Sequence, residues 1–294
     1  MVKNMYVRYE LKAVIFDTQK ECRDLKERLR EAGIVVLVPF LGLRVEHTLL
    51  EVVAEVGLST SDCLFLTNQR GHAFVAQRLG MAVIGCIEGN FEVPRTAVLL
   101  ESPEEVSIHY LNQMYCHAKG LPAVIAETKR CFIRELTTKD MPVLYDILTE
   151  KEVARFLPRK FGTREEELEK LIAYASQVYS FFEYGYWGIF LKSTNELIGR
   201  AGFKEGSWPL EVGYAIKYAM WGNGLATEIL SQLIIYGTEE LGCEEIFVRI
   251  EENNKASLRV AKKCGFGDTM QDEVFQEEDG GKIKIKVLQW LVSQ

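Results

Sequence analysis

The chain has 294 residues, of which 48% are hydrophobic and 26% are charged, a composition typical of one large or two medium-sized globular domains. Its net charge of −7 argues against a nucleic-acid-binding protein, which normally presents a basic surface. The sequence lacks both the run of roughly 18 apolar residues that a membrane-spanning helix needs and the apolar core of a signal peptide, so we expect no membrane association and a cytoplasmic location.

The first half of the chain alternates short apolar runs with amphipathic stretches. The apolar runs predict strands over 14–16, 34–38, 63–66, 82–86 and 97–100. The stretches between them predict helices over 20–31, 48–56 and 71–79. Ser102-Pro-Glu-Glu is typical of a further helix start, with a capping residue, a proline and two acids. This alternation predicts a parallel, Rossmann-like sheet within a first domain over 1–118.

The second half has a different pattern. Residues 119–130 contain a glycine, a proline and several charges and predict a linker. In the second domain, over 131–294, strands are predicted at 131–136, 186–191, 197–203, 210–217, 245–250, around 274 and at 282–291. Helices are predicted at 138–148, 163–179, 223–241 and 255–263, with Thr163-Arg-Glu-Glu as a capping box. The expected fold is therefore α/β in two domains, the second a mixed sheet with helices on both faces.

Cysteines and histidines limit the possible chemistry. The seven cysteines include no C-x-x-C pair, which favours free thiols over a disulfide framework. All four histidines lie in the first 120 residues, so the second half has neither a histidine base nor a histidine metal ligand. We expect no metal site, and the sequence predicts no oligomeric state.

Two glycines mark the junction between a predicted strand and the helix over 223–241. Gly222 and Gly224 allow the backbone to approach a ligand closely, and the N–H groups and positive dipole end of the following helix suit a pyrophosphate. Glycine pairs before helices are common, so spacing alone is a weak indication of a phosphate site.

The surrounding residues resemble the GNAT superfamily of acetyltransferases. The run Trp221-Gly-Asn-Gly-Leu-Ala-Thr-Glu228 resembles its glycine motif in the branch similar to RimJ and RimL, with Trp221 in place of the usual Gln or Arg. Downstream, Asn254-Lys-Ala-Ser-Leu-Arg-Val-Ala-Lys-Lys-Cys-Gly-Phe266 resembles the family's second motif. The resemblance covers roughly 131–294 and implies the GNAT fold, acetyl-CoA as co-substrate and an amine acceptor.

The resemblance also implies a cofactor site. The strand from Tyr214 would pair with the pantetheine arm, a backbone N–H near Ile216 would polarise the thioester carbonyl, and Asn254 would contact the pantetheine region. The implied cofactor-binding residues are Ala215, Ile216, Lys217, Gly222, Asn223, Gly224, Leu225, Ala226, Thr227 and Asn254.

Catalysis needs a base for the attacking amine and is helped by an acid for the leaving thiolate. Many family members use a tyrosine acid, but Ala261 stands at that position. Glu211 is our candidate base and Ser257 our candidate acid; the alternatives are an ordinary sheet-edge charge and a polar helix residue that only touches the cofactor. Acceptor-pocket candidates, each also a plausible core or turn residue, are Phe156, Leu157, Tyr186, Trp187, Trp208 and Pro209.

The first domain resembles the HAD superfamily of phosphatases. Val14-Ile-Phe-Asp17-Thr-Gln19 resembles the family's first motif, D-x-D, but Gln19 replaces the acid–base aspartate. The run from Cys63 to Met81 is similar to the fourth motif, with Asn68 and His72 at the places of metal-binding acids. The resemblance implies a capless, degenerate HAD-like domain that has lost its activity, because one carboxylate is a poor magnesium site.

The sequence leaves three alternative hypotheses for the function of the whole chain. The leading hypothesis is an N-acetyltransferase that acetylates a primary amine on a protein N-terminus or a small molecule. A second is a non-catalytic, acetyl-CoA-binding regulatory module with a pseudo-phosphatase domain. A third is an active phosphohydrolase, which would release phosphate in a magnesium-dependent reaction.

Overall fold

The computed structural model describes residues 10–87, 98–157, 162–181, 184–204, 209–269, 272–276 and 282–292. The chain divides into two compact units, which separate between Ala123 and Val124. Part of the stretch predicted as a linker, 119–130, is therefore a strand of the second unit: Val124–Glu127 pairs antiparallel with Cys131–Arg134. The apolar run Val124-Ile-Ala explains this difference, because its side chains become buried once a neighbouring strand is available.

The first unit is built on a five-stranded parallel sheet. Its strands are β1 (Ala13–Asp17), β2 (Val35–Leu37), β3 (Cys63–Thr67), β4 (Ala82–Cys86) and β5 (Val98–Leu100), in the order β2-β1-β3-β4-β5. Its helices are α1 (Arg23–Glu31), α2 (Val45–Glu55), α3 (Arg70–Arg78) and α4 (Ile108–Ala118). The central strands β1, β3 and β4 are buried along almost their whole length, as expected of parallel strands covered on both faces.

The helix predicted to start at Ser102 begins later. Pro103–Glu105 forms only a 3-10 turn, and α4 starts at Ile108 with the Ser107 hydroxyl accepting from the Tyr110 N–H at 2.9 Å. The carboxylate of Glu104 instead accepts a hydrogen bond from the backbone N–H of Leu25, in the first turn of α1, at 3.0 Å. The acid that signalled a new helix start therefore stabilises the start of a different helix.

The second unit contains a mixed nine-stranded sheet. Its strands are β6 (Val124–Glu127), β7 (Cys131–Arg134), β8 (Tyr186–Leu191), β9 (Leu197–Lys204), β10 (Glu211–Ile216), β11 (Glu245–Glu251), β12 (Gly267–Asp268), β13 (Glu273–Gln276) and β14 (Lys282–Leu291). Neighbouring strands are antiparallel except β10 and β11, which are parallel. The helices are α5 (Met141–Thr149), α6 (Lys151–Ala154), α7 (Arg164–Phe181), α8 (Leu225–Glu239) and α9 (Lys255–Lys263).

Local signals place the helices that flank this sheet. The predicted capping box is present at α7: the Thr163 N–H donates to the Glu166 carboxylate at 3.2 Å, and the Glu166 N–H donates to the Thr163 hydroxyl at 3.3 Å. Helix α5 packs through Leu144 and Leu148 on a core that includes Phe132 of β7 and Phe190 of β8. The rings of Phe132 and Phe190 stack with their centroids 5.2 Å apart. The predicted mixed sheet is confirmed.

Candidate active site

Strands β10 and β11 are joined at one end only. In the described part of the chain, Glu211 and Phe247 are the only residues that pair across these two strands. Beside them, the Phe247 N–H donates a hydrogen bond of 2.9 Å to the Leu210 carbonyl. Beyond Glu211, β10 is paired only with β9. Since the strands are parallel and separate toward their carboxyl ends, a gap opens inside the sheet.

The free edge of β10 presents backbone groups to this gap. The Lys217 N–H donates to the Ile198 carbonyl at 2.8 Å, which makes Lys217 and Ile198 a hydrogen-bonded pair across β9 and β10. In an antiparallel ladder, hydrogen-bonded and non-hydrogen-bonded pairs alternate. The N–H groups of Ile216 and Tyr214 therefore point away from β9, toward the gap, as the expected thioester contact requires.

A 3-10 turn over Tyr218–Met220 and then a glycine turn connect β10 to α8. Gly222 and Gly224 both have positive φ, at 78° and 76°, a conformation that other residues adopt only with strain. No side chain caps α8, and its first backbone bond runs from the Glu228 N–H to the Gly224 carbonyl at 3.2 Å. The N–H groups of the first turn thus remain directed out of the helix start, the arrangement that binds phosphates.

Trp221 and Arg130 hold this turn. The indole Nε1 of Trp221 donates to the Ile216 carbonyl at 2.7 Å. Arg130 donates from Nη1 to the Asn223 carbonyl at 2.9 Å, and from Nε and its backbone N–H to the two carboxylate oxygens of Glu228 at 2.8 and 2.7 Å. Although burial acts to raise the pKa of Glu228, these bonds and one from Thr128 hold the pKa below its usual value. Sequence reasoning missed Arg130, because no local pattern relates it to a helix 98 residues away.

The predicted cofactor residues fall into two groups. Ala215 and Ile216 lie on the free part of β10, and Lys217 follows it with its Nζ bound to Glu196 at 2.9 Å. The residues from Gly222 to Thr227 form the glycine turn and the first turn of α8. Asn254 caps α9: its Oδ1 accepts from the Ser257 N–H at 3.1 Å, a structural role that the motif alone did not reveal.

Glu211, the candidate base, lies where β10 and β11 still pair. It is 2% exposed, and its Oε2 is 3.3 Å from the Lys204 ammonium. Its Oε1 is 3.8 Å from the guanidinium of Arg249, which also pairs with Glu273. Two cations therefore face a buried carboxylate. Ser257, the candidate acid, lies in the first turn of α9.

The acceptor-pocket candidates separate onto different faces of the sheet. Tyr186 shares the face of Glu211, with the Arg200 guanidinium 4.7 Å from its ring centroid, and burial raises its pKa to about 12. A Cβ at Gly213 would lie 2.5 Å from the Tyr186 hydroxyl oxygen, so a larger residue there would displace the Tyr186 side chain. For Trp187 the structure supports the alternative of a core residue: it points to the other face, is 1% exposed and packs edge-on against Tyr236.

The remaining candidates lie near the glycine turn or at the surface. The ring centroids of Phe156 and Trp221 are 6.5 Å apart, and Leu157 packs on the core beneath α5. Pro209 is exposed, and Trp208 lies outside the described residues.

Within the described ranges, no three His, Cys, Asp or Glu side chains come together as a metal-binding group. None of the seven cysteines forms a disulfide, as predicted.

In the first unit, Asp17 ends β1 at the carboxyl edge of the parallel sheet. Its Oδ2 accepts a hydrogen bond from the Thr67 hydroxyl at 2.5 Å and lies 2.8 Å from Nδ1 of His72. Two of the positions singled out by the sequence, Asp17 and His72, thus form a pair.

None of the helices within the described residues has the length and apolar character to cross a bilayer.

Comparison with known proteins identifies the second unit. Residues 130–267 match the Acetyltransferase (GNAT) domain family. The chain is 31% identical over 145 residues to the uncharacterized N-acetyltransferase YoaA of Bacillus subtilis strain 168. The aligned region covers 48% of this chain and 82% of YoaA. It is 25% identical over 142 residues to the uncharacterized N-acetyltransferase p20 of Bacillus licheniformis, covering 47% and 80% of the two chains.

Among solved structures, an acetyltransferase of the GNAT family from Bacillus anthracis aligns with a TM-score of 0.48 at 19% identity, over 56% of this chain and 97% of that one. The family match and the sequence relatives define an acyltransferase. The chain belongs to the GNAT family of N-acetyltransferases.

Proposed function

We propose that the second unit transfers an acetyl group from acetyl-CoA to a primary amine, on a protein N-terminus or a small molecule. One observation carries the proposal: the unpaired edge of β10 is separated by only one 3-10 turn from the uncapped glycine turn of α8. A cofactor with an amide-containing arm and a pyrophosphate needs such a strand edge beside such a helix start.

The cofactor contacts follow from this arrangement. The pantetheine amides bind the backbone edge of β10, and the pyrophosphate binds the N–H groups at the start of α8. The guanidinium of Arg130 adds a positive charge beside Gly224, where its Nη2 is 3.7 Å from the position of a Cβ at that residue. The amide group of Asn254 contacts the pantetheine region while its Oδ1 keeps the α9 cap.

The chemistry requires a neutral amine at the thioester carbonyl. An alkyl amine with a pKa of about 10 is largely protonated at neutral pH, so a proton acceptor is needed. Glu211 takes this proton, directly or through water, and the Ile216 N–H stabilises the negative charge that develops on the carbonyl oxygen. The amine nitrogen forms a bond to the carbonyl carbon, and the carbon–sulfur bond then breaks with its electron pair staying on sulfur. The thiolate is protonated in water after release.

For the first unit, we infer a HAD-like domain without phosphatase activity. The Oδ2 of Asp17, the position of the family's nucleophile, already faces the Thr67 hydroxyl and the His72 ring. A carboxylate engaged in this way is a poorer nucleophile, and Gln19 is unable to exchange a proton at the acid–base position. The inference predicts no magnesium-dependent release of phosphate from a generic ester.

The decisive experiment measures thiol release from acetyl-CoA with peptides bearing free N-termini, polyamines and aminoglycoside-like amines. Turnover is expected with one class and should be lost in Gly224→Trp, which blocks the pyrophosphate site. Clear CoA binding without turnover on any class would contradict the proposal and favour the non-catalytic, acetyl-CoA-binding regulatory module.

A second experiment tests the base. Glu211→Gln keeps the shape of the side chain and removes its charge, and we expect kcat to fall about 100-fold while the Kd for CoA stays unchanged. Glu239→Gln, at the exposed end of α8, is the matched control for loss of one carboxylate. Equal kcat values in the two variants would exclude Glu211 as the base.

A further inference from the structure

Tyr214 has a buried hydroxyl that lacks a well-aligned hydrogen bond. It lies on the free part of β10, and its side chain points to the face opposite that of Glu211. The hydroxyl oxygen is inaccessible to solvent and has no well-aligned hydrogen bond among the described residues, although Ser257 lies near enough to interact with it. Burial raises the pKa of Tyr214 to about 12, the neighbouring Ser257 acts to lower it, and Cys264 acts to raise it.

Such a group calls for an explanation. A buried hydroxyl without a partner costs about 1–3 kcal/mol, and native proteins retain few of them. With a pKa of about 12, Tyr214 stays protonated at neutral pH and always has one hydrogen to donate. Ser257 is the neighbour whose hydroxyl is able to accept it.

The hydroxyl of Ser257 has few hydrogen bonds to form, and this limits the direction in which its hydrogen points. The backbone N–H of Ser257 is committed to Asn254 Oδ1, at 3.1 Å, which holds the residue in the first turn of α9. A serine hydroxyl has one hydrogen and two lone pairs. If Tyr214 donates to its oxygen, the hydrogen of Ser257 must point to a different acceptor.

We propose that Tyr214 is a positioning residue, which donates to the Ser257 oxygen and turns the Ser257 proton toward the sulfur of the bound cofactor. This inference rests on the proposed function. As the carbon–sulfur bond breaks, its electron pair stays on sulfur, and Ser257 stabilises the thiolate by donating a hydrogen bond. Neither side chain gains or loses a proton. The pair therefore stabilises the thiolate without protonating it, in a protein that has Ala261 at the position of the family's tyrosine acid.

The test is the pKa of the thiol of CoA bound to the full-length protein, followed by the ultraviolet absorbance of its thiolate. A hydrogen bond to the thiolate lowers this pKa. We expect the pKa to rise by about one unit in Tyr214→Phe, which is a tenfold change in the thiolate–thiol ratio at a given pH. Ser257→Ala should give the same rise, and the double variant should give no more than Ser257→Ala alone.

Additive effects in the double variant would show that Tyr214 does not act through Ser257, and an unchanged pKa in Tyr214→Phe would overturn the inference. Tyr236→Phe, which removes the hydroxyl of another buried tyrosine in this unit, should leave the thiol pKa at the wild-type value. If Tyr214→Phe fails to fold, Ser257→Thr provides the test, because it keeps a hydroxyl and should retain the wild-type thiol pKa. Equal thiol pKa values in Ser257→Ala and Ser257→Thr would contradict the inference.

The outcome separates this inference from the proposed function. CoA binding with a thiol pKa that does not respond to Tyr214 overturns the role of Tyr214 alone. Absence of CoA binding by the wild-type protein overturns both. In steady state, Tyr214→Phe should lower kcat by about tenfold and leave the KM for acetyl-CoA unchanged, because the hydroxyl acts only as charge develops on sulfur.

Discussion

The indole Nε1 of Trp221 donates a 2.7 Å hydrogen bond to the carbonyl oxygen of Ile216. Ile216 ends the strand that we expect to hold the pantetheine arm, and Trp221 precedes the glycine turn that we expect to hold the pyrophosphate. The bond therefore sets the distance between two parts of one proposed binding site. Gln and Arg, which the family motif described above has at this position, are side chains with N–H donors as well.

Trp221→Phe tests this connection. Phenylalanine keeps an aromatic ring beside Tyr218 but removes the donor, so the turn loses its link to β10. Loss of one hydrogen bond of about 1 kcal/mol should raise the Kd for CoA about fivefold in calorimetric titration. Trp290→Phe, on β14, is the control and should bind CoA as the wild type does. An unchanged Kd in Trp221→Phe would mean that the turn is held by other contacts.

Gly224→Ala tests the left-handed backbone at the start of α8. An alanine at φ 76° is strained by roughly 1–2 kcal/mol, although its Cβ would meet only Arg130 at an ordinary distance. The turn should therefore change conformation, and the Kd for CoA should rise about tenfold. Gly242→Ala introduces similar strain at φ 65°, beyond the other end of α8, and should lower thermal stability without changing the Kd. Equal Kd values for both variants would contradict this explanation.

Asp140 should make stability depend on pH. Burial acts to raise the pKa of Asp140, but hydrogen bonds from Arg134 and Thr137 outweigh it and hold the pKa below its usual value. A carboxyl of this kind stabilises the fold above its unfolded pKa of about 3.9, and the contribution is lost as the pH falls through the folded pKa.

The experiment compares urea unfolding of the wild type and Asp140→Asn near neutral pH and at about pH 3. Near neutral pH the variant should be less stable by about 1.5 kcal/mol, because bonds of 2.7–3.0 Å to a charged carboxylate are weakened. The difference should shrink in acid. A constant difference at both pH values would show that Asp140 does not contribute through its charge.

Thr67→Val tests the cluster around Asp17 in the first unit. The buried Thr67 hydroxyl donates to Asp17 and accepts from the Gln69 N–H at 2.9 Å, so valine of the same shape removes two hydrogen bonds. We expect a loss of about 2 kcal/mol in the free energy of unfolding of this unit. Thr48→Val, on α2, should change it by less than about 0.5 kcal/mol. Equal stabilities of the two variants would contradict the proposed role of Thr67.

Patterns within a short stretch of sequence predicted the elements well. The apolar runs of β1, β3 and β4 and the capping box of α7 each depend on neighbours a few residues away. The glycine turn before α8 was predicted for the same reason, because positive φ is a requirement of the glycine positions themselves.

Contacts between distant residues were not predictable in this way. Glu104 caps α1 from 79 residues away, and Arg130 binds Glu228 across 98 residues. A capping acid is equally compatible with its own helix and with another, and only the packed structure decides between them. Likewise, Val124–Glu127 became a strand because β7 lies beside it, although Gly120 and Pro122 made the stretch look like a linker.

The single pair that joins β10 to β11 has a consequence for solubility and for solution measurements. Unpaired strand edges at the rim of a sheet invite association with other chains. Here the unpaired edge of β10 lies in the middle of the sheet, with β9 on one side and β11 on the other, where a second protein strand has little room to enter. The amides of Tyr214 and Ile216 should therefore exchange hydrogen rapidly in the cofactor-free protein, without a tendency to aggregate, and should become protected when CoA binds.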